Sequence, residues 1–200
     1  THLRRSPALR PLVDAAPGLR VPGAWDPFEL AVRAILGQQV TVKGATTLAG
    51  RLAAAFGRPV DCGDGLTHVF PTAAVLAEAD VAALGMPRAR AETVRALARA
   101  VANGSLVLDA PLGLDDALTR LCAVPGIGPW TAQYVAMRAF GEPDAFPAGD
   151  LGLRSALGNG GGPLAEAAVV RAAEAWRPWR AYAALHLWSS LDSAHTRRAT

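Results

Sequence analysis

Pro125-Gly126-Ile127-Gly128-Pro129 is the part of this chain best suited to holding an anion. Gly126 and Gly128 lack a Cβ, so another surface can approach the backbone closely and positive φ is permitted there. Trp130 then opens a helical pattern that runs to about Phe140. Amides at the start of such a helix lack internal partners, and the helix dipole favours negative charge beside them. The phosphates of a polyanion suit this turn. Asp150 follows after a short loop, just ahead of another apolar helical pattern. From its position alone, an aspartate there is a helix N-cap. Trp130 and Tyr134 are four residues apart and share a helix face. Taken singly, these two and Trp188 are core-packing residues or pocket walls.

The totals frame this chemistry. Two hundred residues, 51% of them hydrophobic, can build a packed interior, and 18% charged residues are too few for a disordered chain. A net charge of +3 and a pI near 9.4 are compatible with a nucleic-acid partner without establishing one. Lys43 is the only lysine. Cys62 and Cys122 have no CxxC spacing, which argues against a cysteine metal site, and as free thiols they suit a reducing cytoplasm. No apolar run reaches membrane-spanning length, so no membrane association is expected. The stretch from Thr1 to Arg10 has no signal-peptide pattern, and the abrupt start suits a piece of a longer protein.

The elements that must position these residues read as helices, giving an all-α fold of about ten helices. Ser6-Pro7 opens a short amphipathic pattern that stops at Pro17-Gly18, and residues 19–25 connect. Asp26-Pro27-Phe28-Glu29 predicts a capped helix ending at Gly37, with Glu29 closing a capping box. Gln38-Gln39-Val40 breaks the pattern, and Thr41 caps the next helix, which ends at Gly57. Residues 58–71 read as loop, with no strand pair. Short helices follow at 72–79 and 80–84, and a longer one spans 87–103. Asp115-Asp116 begin the helix before the glycine turn. A helix starting near Asp150 ends at Leu157-Gly158, a flexible connection occupies 158–163, and helices near 164–176 and 178–191 complete the chain. The arginines at 88, 90, 95 and 99 read as a solvated face.

Leu121-x-x-Val124-Pro-Gly-Ile-Gly-x-x-Thr131-Ala132 resembles a helix–hairpin–helix motif, here 115–140 with its flanking helices. With Gly149-Asp150 downstream, it resembles the helix–hairpin–helix superfamily of DNA glycosylases, and most closely its 3-methyladenine DNA glycosylase II branch. Ala34-Ile-Leu-Gly-Gln-Gln-Val-Thr-Val42, Ala83-Leu-Gly-Met-Pro87, Trp176-Arg-Pro-Trp-Arg-Ala-Tyr182 and His186-Leu-Trp188 carry the resemblance along nearly the whole chain.

The resemblance implies two helical subdomains flanking an active-site cleft: 26–144 as a central bundle, and 1–25 with 145–200 as the second. The N-terminal antiparallel-sheet domain of well-known members is expected to be absent, since no strand pattern precedes Trp25. The implied activity is hydrolysis of the N-glycosidic bond of alkylated purines in double-stranded DNA, by base flipping, leaving an abasic site. Asp150 becomes the catalytic carboxylate, stabilising positive charge on the deoxyribose and positioning or deprotonating water. Trp130, Tyr134 and Trp188 become base-pocket walls, attracting a cationic base by about 0.5–2 kcal/mol per cation–π contact. Ser189 stands where a well-known member has an aromatic, implying a roomier pocket. Branches that also cleave the strand have a lysine at the place of Trp130, so no lyase step is expected. The four cysteines of the iron–sulfur branch are missing.

Gln38, Gln39, Gly126, Gly128 and Thr131 are the implied DNA contacts, with Arg154 a weaker candidate. The hairpin amides of Gly126, Gly128 and Trp130 would hold a phosphate. Gln39 is either the minor-groove wedge or part of a polar interhelical turn. No cofactor and no side-chain metal site are implied, although hairpin carbonyls could carry a monovalent cation. A monomer in the cytoplasm, associated with the nucleoid, is the implied setting. A non-catalytic DNA-binding module and a glycosylase for oxidised or mismatched bases remain the alternatives.

Overall fold

Asp26 starts the first long helix as its residue type predicts. Its Oδ1 accepts from the amides of Phe28 (2.7 Å) and Glu29 (3.2 Å), and Pro27 occupies the first helical position. Glu29 does not close a capping box; it pairs with Arg33 one turn on, at 2.6 Å. A charged partner at i+4 is available to it on the exposed face.

In the computed structural model, residues 2–61, 63, 65–108, 113–158 and 160–198 are described, with 192–198 described by backbone alone. Thr1, Cys62 and Asn159 lie outside the described residues. The helices are α1 (Arg10–Ala15), α2 (Pro27–Leu36), α3 (Val42–Phe56), α4 (Ala73–Glu78), α5 (Arg88–Ala102), α6 (Leu114–Cys122), α7 (Pro129–Arg138), α8 (Leu151–Leu157), α9 (Glu166–Ala173) and α10 (Arg180–Arg198). Short 3-10 turns occupy Leu3–Arg5, Val81–Leu84 and Glu174–Trp176. Thr41 and Thr72 cap α3 and α4 through their hydroxyls. The expected helix at 80–84 is therefore a 3-10 turn, and the one near 164–176 divides into α9 and a 3-10 turn.

One expectation needs correction. Residues 58–71 are not all loop: β1 (Arg58–Pro59) pairs antiparallel with β2 (His68–Val69). Two residues per strand are too few to leave an apolar–polar alternation in sequence.

Two apolar clusters build the interior. The first joins Val32, Ile35, Leu36, Leu52, Leu76, Val94, Leu97 and Leu121 from α2 to α6. The second joins Leu3 and Leu9 to Phe146, Leu153, Val169, Trp176 and Leu187. Each fully buried Leu, Ile or Val contributes about 1.5–3 kcal/mol. Helix α7 belongs to both. Its Ala132 and Val135 face the first cluster, while Ala136 and Met137 face the second. Among the described residues, no helix is long and apolar enough to cross a membrane.

Candidate active site

The loop between α7 and α8 is fastened at three points before it reaches Asp150. The Gln133 side chain accepts from the amide of Phe146 (2.8 Å). Asp144 takes a two-pronged bond from Arg180, Nε to Oδ1 at 2.7 Å and a terminal nitrogen to Oδ2 at 2.8 Å. The amide of Ala181 donates to the Pro143 carbonyl at 2.9 Å. A planar guanidinium matched to a carboxylate fixes direction as well as distance. The loop is thereby tied to α7 and α10 together.

Asp150 then caps α8, its Oδ1 accepting from the Leu153 amide at 3.0 Å. Two indoles complete its surroundings. Trp188 Nε1 donates to Oδ1 at 2.8 Å, and Trp130 Nε1 donates to Oδ2 at 3.1 Å. The carboxylate thus accepts from three N–H groups carried by three helices, and its plane is set by all of them. Gly152 makes room for this. A Cβ there would lie 2.9 Å from Asp150 Oδ1 and 3.3 Å from Trp188 Cδ1.

Asp150 opens onto a cleft of about 570 Å³. Leu30, Ala34 and Val42 line one side; Trp130, Tyr134 and Arg138 line the other. Trp130 and Tyr134 stack with centroids 5.4 Å apart and planes 8° apart. Trp188 does not line this cleft. It stands against Tyr134, with centroids 6.5 Å apart, and supports the carboxylate. Arg138, one turn beyond Tyr134, was not singled out by sequence. Its guanidinium lies 5.5 Å from the Tyr134 centroid and donates to the phenol oxygen at 3.0 Å. Its Nε donates to the Pro22 carbonyl at 2.7 Å. The i, i+4, i+8 spacing of 130, 134 and 138 was the readable signal for this ladder. Gln133 and the Asp144–Arg180 pair carry no such signal, because their partners lie 13 and 36 residues away, and the Trp188 ring that crowds Gly152 is as distant.

The hairpin turn directly precedes α7, whose second residue is Trp130. Gly126 has φ 87°, and a Cβ on it would fall 1.9 Å from Thr93 Oγ1, so the turn is pressed onto α5. Gly128 is exposed and precedes α7, whose first amides have no side-chain cap. Thr131 and Gln38, expected to reach DNA, face each other instead. Thr131 is buried, and its hydroxyl accepts from Gln38 Nε2 at 3.0 Å. Gln38 also donates to the Gly126 carbonyl at 3.3 Å. Gln39 is exposed. Arg154 is held by the Leu164 carbonyl at 2.7 Å. The arginine face on α5 is only partly solvated: Arg88 and Arg99 are exposed, whereas Arg90 bonds the Gln38 carbonyl.

Cys122 is a free, exposed thiol. Among the described residues, no group of His, Cys, Asp and Glu could hold a metal ion. The Val124 and Gly126 carbonyls already accept from Ile127 and Gln38. Each keeps a second lone pair, which fits a monovalent cation as an added partner.

The chain is similar to known proteins in sequence and fold. The chain is 51% identical over 191 residues to a probable bifunctional transcriptional activator/DNA repair enzyme AlkA of Mycobacterium tuberculosis, covering 95% of this chain and 38% of that one. It is 42% identical to DNA-3-methyladenine glycosylase 2 of Escherichia coli, covering 90% of this chain and 64% of the relative. The sequence therefore spans less than two thirds of both relatives. The solved 3-methyladenine DNA-glycosylase of Archaeoglobus fulgidus superposes with a TM-score of 0.78 at 27% identity, over 94% of this chain and 66% of that one. Residues 32–181 match the family described as base excision DNA repair proteins. The chain belongs to the HhH-GPD superfamily.

Proposed function

We propose that this chain is a monofunctional DNA glycosylase that flips an alkylated purine of the 3-methyladenine type out of duplex DNA and hydrolyses its N-glycosidic bond. The observation that carries this reading is the Asp150 carboxylate, held by two indole N–H groups and a backbone amide at the wall of the cleft. A binding module has no use for a carboxylate fixed in this way. As the bond breaks, positive charge grows on the deoxyribose, and a preoriented anion stabilises it without reorganising. The same group can orient or deprotonate the attacking water. Trp130 offers an aromatic wall for a cationic base. Arg138 already occupies the cation position beside Tyr134, so Trp130 is the wall left to the guest.

DNA would be anchored by the amides of Gly126, Gly128 and Trp130 on phosphate, with Gln39 filling the space the base vacates. A monovalent cation on the hairpin carbonyls is compatible with that contact. We assign the second subdomain of the cleft to 1–25 and 145–200, against a central bundle of 26–144. Trp130 lines the cleft where a nucleophilic lysine would be needed for strand cleavage, which supports hydrolysis alone.

Incubation with methylated duplex tests this. Release of 3-methyladenine or 7-methylguanine above background, with no borohydride-trapped protein–DNA adduct, is the expected result. No release by the wild-type protein overturns the enzyme reading. A trapped adduct overturns the monofunctional part alone.

A further inference from the structure

Gln39 is the one non-glycine residue with positive φ among the described residues, at 55°. A side chain in the left-handed region is strained and persists only where its surroundings enforce it. The residues that enforce it here come from two distant elements. From α5, Arg90 donates a terminal nitrogen to the Gln38 carbonyl, the peptide that leads into Gln39. The Arg90 Nε is buried and has no acceptor, so the guanidinium is committed to this contact at some cost. From the hairpin, Thr131 Oγ1 and the Gly126 carbonyl both accept from the Gln38 side chain, at 3.0 and 3.3 Å. Thr93, almost one turn beyond Arg90 on α5, fills the space above Gly126. One helix therefore grips the Gln38 peptide through Arg90 and the hairpin through Thr93, and Gln38 bridges the two.

We propose that Arg90 and Gln38 are positioning residues that lock the Gln39 turn to the hairpin. Phosphate anchoring and base displacement then act from one rigid frame, with Gln39 held outward. This rests on the glycosylase reading for what the frame is used for, while the lock itself does not require it. Gln38 and Thr131 are then internal struts rather than DNA contacts. Neither gains from facing phosphate, since each already has its partner inside the fold.

The test uses Arg90→Met, which keeps the apolar stem and removes the donors. In the free protein, amide hydrogen exchange at Val40, whose N–H bonds the Gly37 carbonyl across the turn, should accelerate roughly tenfold, the loss of about one hydrogen bond's worth of protection. Affinity for undamaged duplex, and its salt dependence, should stay within about twofold of wild type. Fluorescence of a 2-aminopurine placed beside a stable abasic analogue should show flipping reduced roughly fivefold or more. Arg90→Lys should restore part of the protection. Gln38→Met removes the other hold and should give the same pattern if Arg90→Met does not fold. Unchanged exchange at Val40 overturns the lock. A salt slope lowered by about one, with affinity lost equally for all duplexes, overturns it in favour of an Arg90–phosphate contact. Neither the exchange nor the fluorescence needs base release, so a protein that excises nothing can still confirm or sink the lock.

Discussion

The hairpin and the Asp150 corner are built in opposite ways. The hairpin gets its shape from the main chain. Gly126 at positive φ, its Cβ-free contact with Thr93 and a proline at the head of α7 fix it. The Asp150 corner gets its shape from side chains. Indoles 20 residues before and 38 residues after it aim at one carboxylate. A backbone-built site tolerates almost any neighbour but no added Cβ at its point of closest approach, here Gly126. A side-chain-built site tolerates backbone changes but not the loss of a donor. Substitutions should therefore separate binding from chemistry along this line.

Asp150→Asn should have the largest effect: excision from methylated duplex should fall by about 10³-fold or more, with duplex affinity nearly kept. The amide supplies one oxygen where three donors converge, so melting should also fall by about 1–3 kcal/mol. Retained single-turnover activity would remove Asp150 from its role. Gly126→Ala comes next and reverses the pattern. Steric conflict with Thr93 at positive φ should cost about 2–4 kcal/mol and weaken duplex binding, measured by denaturant melts and anisotropy titration. A variant that binds normally would show that the turn is not the anchor.

Trp188→Phe keeps a ring against Tyr134 but removes one donor, and excision should drop about 10–100-fold at unchanged affinity. Gly152→Ala sharpens the contrast further. Gly152 lies in the first turn of α8, where alanine's helix preference, up to about 1 kcal/mol, opposes the crowding near Asp150 and leaves stability close to wild type. Excision should nonetheless fall roughly tenfold, because the new Cβ crowds the carboxylate and Trp188. Equal loss of binding and excision would deny the side-chain construction of that corner.

The smallest effect concerns His186, two residues before Trp188. Burial holds its pKa below the usual histidine value. The neutral ring is favoured in the fold, so the unfolded chain takes up the proton first as pH falls. Stability from this group is full above the ordinary histidine range and declines from about pH 6.5 downward. His186→Asn should flatten that acid-side decline in the melting temperature. An unchanged slope would exonerate His186.

The same contrast explains what could be read without coordinates. Asp26, Thr41 and Thr72 announce their helices because a cap acts within three residues. The hairpin was legible because glycine and proline act on their own φ. Asp150 was legible as a position, but not the two donors that orient it. Its bonds to Trp130 and Trp188 depend on how α7 and α10 pack, which no local pattern encodes. The bond between Gln38 and Thr131 was hidden for the same reason. Polar residues beside a glycine turn look available until the partner 93 residues away is found. Arg90 looked solvated because periodicity reports which face a residue occupies, not what a long side chain reaches.

Helix α7 sends alternate faces into both apolar clusters, and Leu3 and Leu9 close the second cluster from the far end of the chain. The two walls of the cleft are consequently not independent bodies that could swing about a flexible joint. Pulling them apart would strip apolar surface from α7 on one side or the other. The width of the cleft is thus a property of the interior, set before any guest arrives.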